Sequence, residues 1–509
     1  MSFIHRLRGI FAKPQKRKPH DAFLEMCGLF EARIKRWPLP QRSASPRGKV
    51  GVLVTPWLST GVPLFNLECA LMLVREGFHV TALSDDSNVI RNNPTPEHST
   101  AIASILRQLA TSLDVVQVDQ LPADEPDVDT AQTILHQNAI WRMRGEAKAD
   151  EFIDEHPNAV SEIAAHIGRI SRMLRELKFD WIFIPGGIFG LSGMYVAAAR
   201  GTGTSFTTYD AAVGVLRLSQ DSVAAHLGDV PRTFAALKTR WLADPVERAR
   251  VLDLARAEIE DRTAARDFRQ FQVAQATQRD DLRYDIVVPL NIRWDSAALS
   301  RQRIFASVEE WLVALLDWVS EQPGVSICIR QHPRERLGFA KGSDDLRPLL
   351  ERYSALGERL RFVAAADEIN TYDLLRHVKA VLPHTSTIGI EAAFLGKPVV
   401  IGTSVYYEDF GFVQHPATRD EYFAQIADAL AGKIVVSDDQ RAAAGCAYFL
   451  TQRCTLIRSQ FNPHREQLVE WVNQEPAAIW ATPETTDLRT ALLTRQPLSM
   501  TRYHRLAAL

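Results

Sequence analysis

Three consecutive hydroxyl side chains stand out in the second half of the chain. Thr385, Ser386 and Thr387 follow an apolar strand that ends at Pro383, at the place where a helix should begin. The free backbone N–H groups and the dipole of a helix N-terminus attract anions, and hydroxyl groups add hydrogen-bond donors. This segment is therefore predicted to bind a phosphate. Its candidate contacts are His384, Thr385, Ser386, Thr387, Gly389 and Glu391.

Glu391 lies one helical turn beyond these hydroxyls, where its carboxylate could accept hydrogen bonds from a ribose. The segment also has a plainer interpretation. In that interpretation Ser386 or Thr387 only caps the helix, and Glu391 is only a first-turn acid.

A His-Pro pair follows another apolar strand, about fifty residues earlier. The strand 325–329 leads into Arg330, and His332 and Pro333 follow. The fixed φ of proline holds the imidazole at the carboxyl end of the strand. A protonated or hydrogen-bonding histidine beside Arg330 suits a phosphate. This second motif favours the binding interpretation of the hydroxyl segment 385–387, and it makes Arg330, His332 and Pro333 candidate contacts.

A third strand end precedes both motifs. The apolar run 286–290 is followed by a loop that contains Asn291 and Ser296. Loops at the carboxyl ends of parallel strands face the ligand cleft, so Asn291 and Ser296 are also predicted to contact the same ligand.

The first half of the chain offers groups that could take a proton from an acceptor hydroxyl. Such a step needs one carboxylate or imidazole as the base. Asp210 ends the strand 204–208 and is the first candidate, and His226 is the second. Other acids at strand ends or in nearby loops are Asp85, Asp86, Asp221 and Asp229.

No Asp-x-Asp pair stands at a strand end, and no group of His and Cys has the spacing of a metal site. We therefore expect histidine, arginine and a helix dipole to neutralise the phosphate charge without a metal ion. No cofactor is expected either.

Two series of alternating strands and helices must position these residues. The alternation predicts an α/β protein with two parallel sheets, right-handed crossovers and a cleft between the carboxyl edges of the strands. The predicted divisions are a basic arm and linker (1–47), a first α/β domain (48–240), a helical bridge (241–280), a second α/β domain (281–440), and C-terminal helices and tail (441–509).

Length and composition agree with this organisation. A chain of 509 residues exceeds what one hydrophobic core usually supports. The net charge of −2 gives no sign of nucleic-acid binding. Five scattered cysteines fit a reducing compartment, and no apolar run reaches the roughly 18 residues of a membrane-spanning helix. These features predict a cytoplasmic protein.

Residues 1–18 combine apolar residues at helical spacing with a basic flank. Such an arm could rest on the anionic inner face of the cytoplasmic membrane. The alternative is a solvated tail.

Together the His-Pro pair and the hydroxyl segment resemble the paired motifs of bacterial transferases that use cytidine-nucleotide donors. These include bacterial sialyltransferases, capsule Kdo transferases and teichoic-acid glycerophosphotransferases. The run 389–400, with Tyr406, Tyr407 and the aromatic residues beyond them, looks most like the capsule polysaccharide biosynthesis family. The resemblance covers residues 284–424. It implies a GT-B fold of two Rossmann-like domains, in which His332, Ser386 and Thr387 contact cytidine monophosphate or its phosphate.

The resemblance implies a glycosyltransferase that moves a sugar from a nucleotide-activated donor to a capsule or surface polysaccharide acceptor, a glycan or a glycolipid. The expected donor is a CMP-linked, Kdo-like or other acidic sugar. A donor activated by UDP or GDP, a glycerophosphotransferase, and a non-catalytic capsule assembly or export factor are the alternatives. The sialyltransferase motif of two acids followed by glycine is absent from the first half, which leaves the base and the stereochemistry open.

Overall fold

The structure is a computed structural model that describes residues 19–56, 60–87, 89, 95–124, 127–212, 215–267, 272–273, 282–457 and 465–508. The basic arm 1–18 lies outside the described residues. Its contact with a membrane therefore stays a prediction.

The strands form two separate sheets, as the alternation of elements predicts. They are β1 (Lys49–Val54), β2 (His79–Ser84), β3 (Asp114–Gln117), β4 (Trp181–Pro185), β5 (Ser205–Ala212), β6 (Val215–Gln220), β7 (Ile286–Pro289), β8 (Ile327–Arg330), β9 (Leu360–Val363), β10 (Ala380–Val381) and β11 (Leu456–Ile457). The first sheet has the order β11-β6-β5-β4-β1-β2-β3, and the second has the order β10-β7-β8-β9. The predicted fold class, an α/β protein with two Rossmann-like domains, is confirmed.

The parallel strands β1, β2, β4, β7 and β8 are buried, and the edge strands β3 and β9 are partly exposed. Helices cover both sheets. They are α1 (Pro19–Arg36), α2 (Val62–Arg75), α3 (Pro96–Gln108), α4 (Val128–Met143), α5 (Ala149–Asp154), α6 (Ala159–Leu177), α7 (Gly190–Thr202), α8 (Ala225–Ala243), α9 (Pro245–Thr263), α10 (Val308–Glu321), α11 (Arg347–Glu351), α12 (Thr371–Leu375), α13 (Ile388–Phe394), α14 (Arg419–Leu430), α15 (Asp438–Phe449), α16 (Arg465–Asn473), α17 (Pro476–Ile479), α18 (Pro483–Thr494) and α19 (Leu498–Ala507).

The first sheet is parallel from β3 to β5 and then reverses. Strands β5 and β6 form an antiparallel pair in which Asp210 lies opposite Arg217. Asp210 was expected at the end of a strand, but β5 continues to Ala212. The carboxylate therefore lies within the pair and next to a cation on the neighbouring strand.

The second sheet is shorter than the sequence suggests. All its strands run parallel. The apolar run 399–401 makes only isolated bridges, from Val399 to Val381 and from Val400 to Gln414. It therefore passes the sheet edge without forming a ladder.

Residues 19–36 correct the prediction of an arm and linker over 1–47. They form α1, whose Phe23, Met26 and Phe30 are buried in the core of the first domain. The guanidinium of Arg33 donates from Nε to the buried Glu68 carboxylate at 2.8 Å. Helical spacing of the apolar residues brings them to one face, and this face packs on the domain.

The predicted bridge also differs from its expected form. Within the predicted bridge 241–280, α9 ends at Thr263, and its residues Val251, Ala255 and Ile259 are buried. These three residues form a narrow apolar stripe with a spacing of four residues. The many charges around the stripe conceal it in the sequence.

The C-terminal segment is not a tail. Strand β11 joins the first sheet beside β6, and α19 packs near the bridge, where the Tyr503 hydroxyl donates to the Glu247 carboxylate at 2.7 Å. The segment 441–509 thus returns from the second domain to the first.

Candidate active site

A cavity of about 420 Å³ lies where the two domains face each other. This volume is in the range of small-molecule sites in proteins. Its lining includes predicted site residues from both domains: Asp210 and His226 from the first, and Asn291, Ser296, His332, Thr385, Ser386 and Thr387 from the second. Sequence positions about 180 residues apart therefore meet in one place.

His332 lies at this cavity after β8, and the structure defines its hydrogen-bonding role. Its Nδ1 accepts a hydrogen bond from the backbone N–H of Arg334 at 3.2 Å. An N–H group can only donate, so a neutral His332 carries its proton on Nε2. Burial, Arg262, Arg334 and Arg330 lower the pKa of His332 to about 3. Of the two states expected from the sequence, the structure therefore favours the neutral, hydrogen-bonding imidazole over the protonated one.

Arg262 brings a cation to the cavity from α9. Burial opposes its charge, but Glu391 and neighbouring groups raise the pKa of the guanidinium above its ordinary value. Its Nε donates to the Tyr372 hydroxyl at 2.8 Å and lies 3.3 Å from a Glu391 carboxylate oxygen. Its Nη1 is buried, makes no hydrogen bond to the described residues and lies 3.9 Å from an Asp267 carboxylate oxygen. The guanidinium is thus held in place by two carboxylates, and its Nη1 has an unused hydrogen-bond donor.

This arrangement corrects the role predicted for Glu391. The carboxylate is fully buried and does not line the cavity. It accepts hydrogen bonds from Tyr372 at 2.5 Å and from Thr387 at 3.4 Å. Its oxygens are occupied by protein donors and by Arg262, so Glu391 positions an arginine rather than a ribose.

The hydroxyl segment 385–387 is held by the loop after β7. The backbone N–H of Thr385 donates to Asn291 Oδ1 at 3.2 Å, and Ser386 Oγ accepts weakly from the N–H of Ile388 at 3.4 Å. The Thr385 hydroxyl is buried without a hydrogen-bond partner in the described part of the chain. The segment therefore combines a fixed backbone with hydroxyl groups at the cavity wall.

Besides Glu391, four predicted contacts lie outside this cavity. His384 packs on Trp311, with ring centroids 5.9 Å apart. Arg330 donates to the carbonyl oxygens of Ala364 and Ile369 and thereby braces a neighbouring loop. Pro333 is buried and, with Arg330, lines a smaller adjoining cavity. A Cβ added at Gly389 would overlap the Tyr407 hydroxyl, so this glycine permits close packing.

Asp210 faces the cavity from the opposite wall. Burial raises its pKa to about 6, Arg217 opposes the shift, and Asp295 adds to it. A carboxylate with a pKa near 6 is mostly ionised at neutral pH and still accepts a proton more readily than an ordinary aspartate.

His226, the second candidate base, has a different environment. Burial, Arg217 and Arg301 lower its pKa to about 3. Its ring packs edge-on against Tyr406 at 5.2 Å. An imidazole whose protonated form is this unfavourable is a poor proton acceptor, so of the two predicted bases Asp210 has the more suitable environment.

The other candidate acids do not line the cavity. Asp85 is fully buried and accepts a hydrogen bond from Tyr195 at 2.9 Å. Asp221 pairs with Arg495, and Asp229 accepts a hydrogen bond from the backbone N–H of Gln220. Asp86 is absent from the lining too. The structure therefore does not bring these four acids to the predicted site.

Several cavity residues were missed by sequence reasoning. Arg217, Arg262, Arg334 and Asp295 bring charge, and Thr451, Gln452 and Thr455 come from the π-helical turn 450–454 and the residue after it. A π-turn widens a helix and is frequent at functional sites. None of these positions carries a local motif, although the pairing of Asp210 with Arg217 would follow from a correctly predicted hairpin.

Within the residues that the structure describes, no group of three or more His, Cys, Asp or Glu side chains could hold a metal ion. No described helix is long and apolar enough to cross a membrane.

The two facing sheets, with a cavity at the carboxyl ends of their strands, define a two-domain α/β protein of GT-B architecture. Residues 248–422 match the family described as "Capsule polysaccharide biosynthesis protein". The matched segment is about a third of the chain, and the match confirms the predicted resemblance to that family. The matched segment contains Arg262, His332 and the hydroxyl segment. No curated protein matches the chain significantly in sequence.

Solved structures with a related arrangement include two transferases. The KpsC beta Kdo 2,7 transferase of Thermosulfurimonas dismutans is 17% identical, with coverage of 60% of this chain and 88% of that chain and a TM-score of 0.32. A glycosyltransferase from Rickettsia africae is 11% identical, with coverage of 84% of this chain and 99% of that chain and a TM-score of 0.27. A putative UDP-N-acetylglucosamine 2-epimerase from Listeria monocytogenes is 12% identical, with coverage of 81% of this chain and 96% of that chain and a TM-score of 0.26.

Proposed function

We propose that the chain is a glycosyltransferase that moves an acidic sugar from a cytidine-nucleotide donor to a growing capsule polysaccharide. One observation carries the proposal. A single cavity is lined on one wall by His332 and the hydroxyl segment, whose groups suit a phosphate, and on the other by a carboxylate of raised pKa. The family of residues 248–422 supplies the biosynthetic context.

The second-domain wall would bind the donor phosphate. His332 would donate from Nε2, the hydroxyl segment would add its O–H groups, and Arg262 would place a fixed positive charge beside them. Donors fixed in advance stabilise the charge that develops on the leaving phosphate, because they need no reorganisation during the reaction.

The first-domain wall would activate the acceptor. As the acceptor hydroxyl attacks the anomeric carbon, its oxygen forms the new glycosidic bond and the bond to the phosphate oxygen breaks. The proton of the hydroxyl passes to Asp210, and the electron pair of the broken bond leaves with the nucleotide phosphate. Arg217, opposite Asp210 in the hairpin, keeps the carboxylate ionised before the transfer.

A thermal-shift screen of the full chain against CMP, CDP, UDP and GDP tests the donor. A ligand that binds only the folded state raises the melting temperature by mass action. We expect the largest rise with a cytidine nucleotide and a smaller rise for His332→Ala. A larger rise with UDP or GDP would show that the donor carries that nucleotide instead of a cytidine nucleotide. No rise in melting temperature with any of the four nucleotides would contradict the transferase proposal.

A further inference from the structure

A second cavity, of about 410 Å³, lies beside the first. Helices α4 and α7 and the turn after β4 line it from the first domain, and the loop 296–301 closes it from the second. Ser296 lines both cavities, so the two spaces meet at this loop. A molecule in the second cavity could therefore extend toward the wall that holds Asp210.

The turn after β4 shows that the backbone is shaped around this space. Gly187 has a φ of +113°, a conformation that L side chains rarely adopt. A Cβ there would also come within 2.8 Å of Val223 and 2.9 Å of Thr208. Glycine thus lets the chain turn tightly at the floor of the cavity.

The lining alternates polar and apolar groups. Hydroxyl and amide groups come from Thr130, Thr133, Gln137 and Ser300, and apolar side chains lie between them. The Gln137 amide donates from Nε2 to Ser300 Oγ at 3.0 Å, a contact that links the two domains. Sugars present both hydroxyl groups and C–H faces, and this mixture of groups matches them.

Two arginines bring positive charge to the cavity, and Glu408, which is not part of the lining, partly balances the charge of Arg301. Arg200 and Arg301 line it, and no Asp or Glu is among its described lining residues. The Nε of Arg301 is buried and has no hydrogen-bond partner in the described ranges. A buried N–H without an acceptor is costly, and an anionic ligand would remove that cost.

We propose that the second cavity is an acceptor subsite that binds an acidic sugar residue of the growing glycan, with its carboxylate on Arg200 and Arg301. The inference rests on the proposed function and extends it to the chemistry of the acceptor. A planar carboxylate matches the paired N–H groups of a guanidinium. The hydroxyl and amide groups of the lining favour a sugar over the phosphate of a lipid headgroup.

Ligand-observed NMR on the full chain tests this assignment. The probes are free Kdo and D-glucuronate, with D-glucose as the neutral control, each with excess CMP to occupy the first cavity. We expect both acidic sugars to bind and glucose not to bind. Arg301→Gln and Arg200→Gln should each weaken binding about tenfold or more. Arg172→Gln, an exposed position on α6 that lines neither cavity, should leave binding unchanged.

A second variant covers the case in which the arginine substitutions disturb folding. Thr133 is exposed on α4 and lines the cavity, so Thr133→Trp should fill the space without disrupting the core. It should abolish binding of the acidic sugars while the melting temperature and CMP binding stay unchanged.

The proposal is overturned if glucose binds as well as the acidic sugars, if no sugar binds, or if the arginine and Thr133 variants bind normally. Displacement of the sugars by glycerol 1-phosphate at lower concentration would assign the cavity to a lipid phosphate instead. Failure of the donor proposal has a separate signature. CMP would then cause no thermal shift, whereas sugar binding would still depend on Arg200 and Arg301.

Discussion

The two walls of the first cavity hold their charged groups in different ways. On the second-domain wall, Glu391 fixes Arg262, and a backbone N–H fixes the tautomer of His332. On the first-domain wall, Asp210 and Arg217 face each other across a hairpin, and Arg217 Nε has no partner in the described residues. Rigid donors suit a phosphate whose charge must be stabilised. A carboxylate of raised pKa suits a step in which a proton is taken up.

The largest expected effect comes from removing the proton acceptor. Asp210→Asn keeps the side-chain shape but cannot accept the proton, so transfer should fall about 10²- to 10⁴-fold while CMP binding remains. Transfer rate and thermal shift measure the two properties. Asp253→Asn, exposed on the bridge helix, is the matched control. Near-normal turnover of Asp210→Asn, together with an inactive His226→Ala, would assign the base to His226.

Loss of the imidazole on the opposite wall should have the next largest effect. His332→Ala removes a donor to the leaving phosphate, so kcat should fall by about 10²-fold with little change in melting temperature. His332→Gln, which retains an N–H donor, should recover part of the loss. Equal activity of the alanine variant and the wild type would show that His332 does not stabilise the leaving group.

Arg262 should affect donor binding more than proton transfer. Arg262→Gln removes a charge-assisted hydrogen bond, so the affinity for CMP should fall about tenfold or more. Glu391→Gln should weaken CMP binding as well, since it loosens the guanidinium without touching the ligand. Arg266→Gln, exposed just beyond α9, is the control. Unchanged CMP affinity in both Arg262→Gln and Glu391→Gln would remove Arg262 from the donor site.

The smallest expected effect is a shift in pH dependence. Asp210 works as a base only when ionised, so kcat/KM should rise with pH through about 6, the pKa of Asp210. Asp295 raises that pKa. Asp295→Asn should therefore favour the ionised form and move the rise to lower pH.

Asp229 provides the control for this measurement. Its pKa is also raised to about 6, mainly by burial, but it does not line the cavity. The pH profile of Asp229→Asn should therefore keep the wild-type rise. A rise that disappears in Asp229→Asn and persists in Asp210→Asn would exclude Asp210 as the base.

The order of strands and loops along the chain is enough to predict which edge of each sheet holds the candidate site residues. Apolar runs end directly before Asn291, Arg330 and His384, and parallel strands present their carboxyl ends on one edge. This rule was sufficient to predict that His332 and the hydroxyl segment share a cleft, and the structure places both at one cavity. The family resemblance over 284–424 agrees with the matched region 248–422.

The contacts that each of these side chains makes could not be predicted in the same way, because they form between distant parts of the folded chain. Glu391 looks like a ligand contact in the sequence, yet it is buried against Arg262, 129 positions earlier. The helix α1 and the segment 441–509 look peripheral, yet they pack into the first domain. The local sequence contains the hydrophobic period of a helix or strand and the signals for where it begins and ends. Contacts between distant residues, and the burial that shifts a pKa, depend on how the whole chain packs.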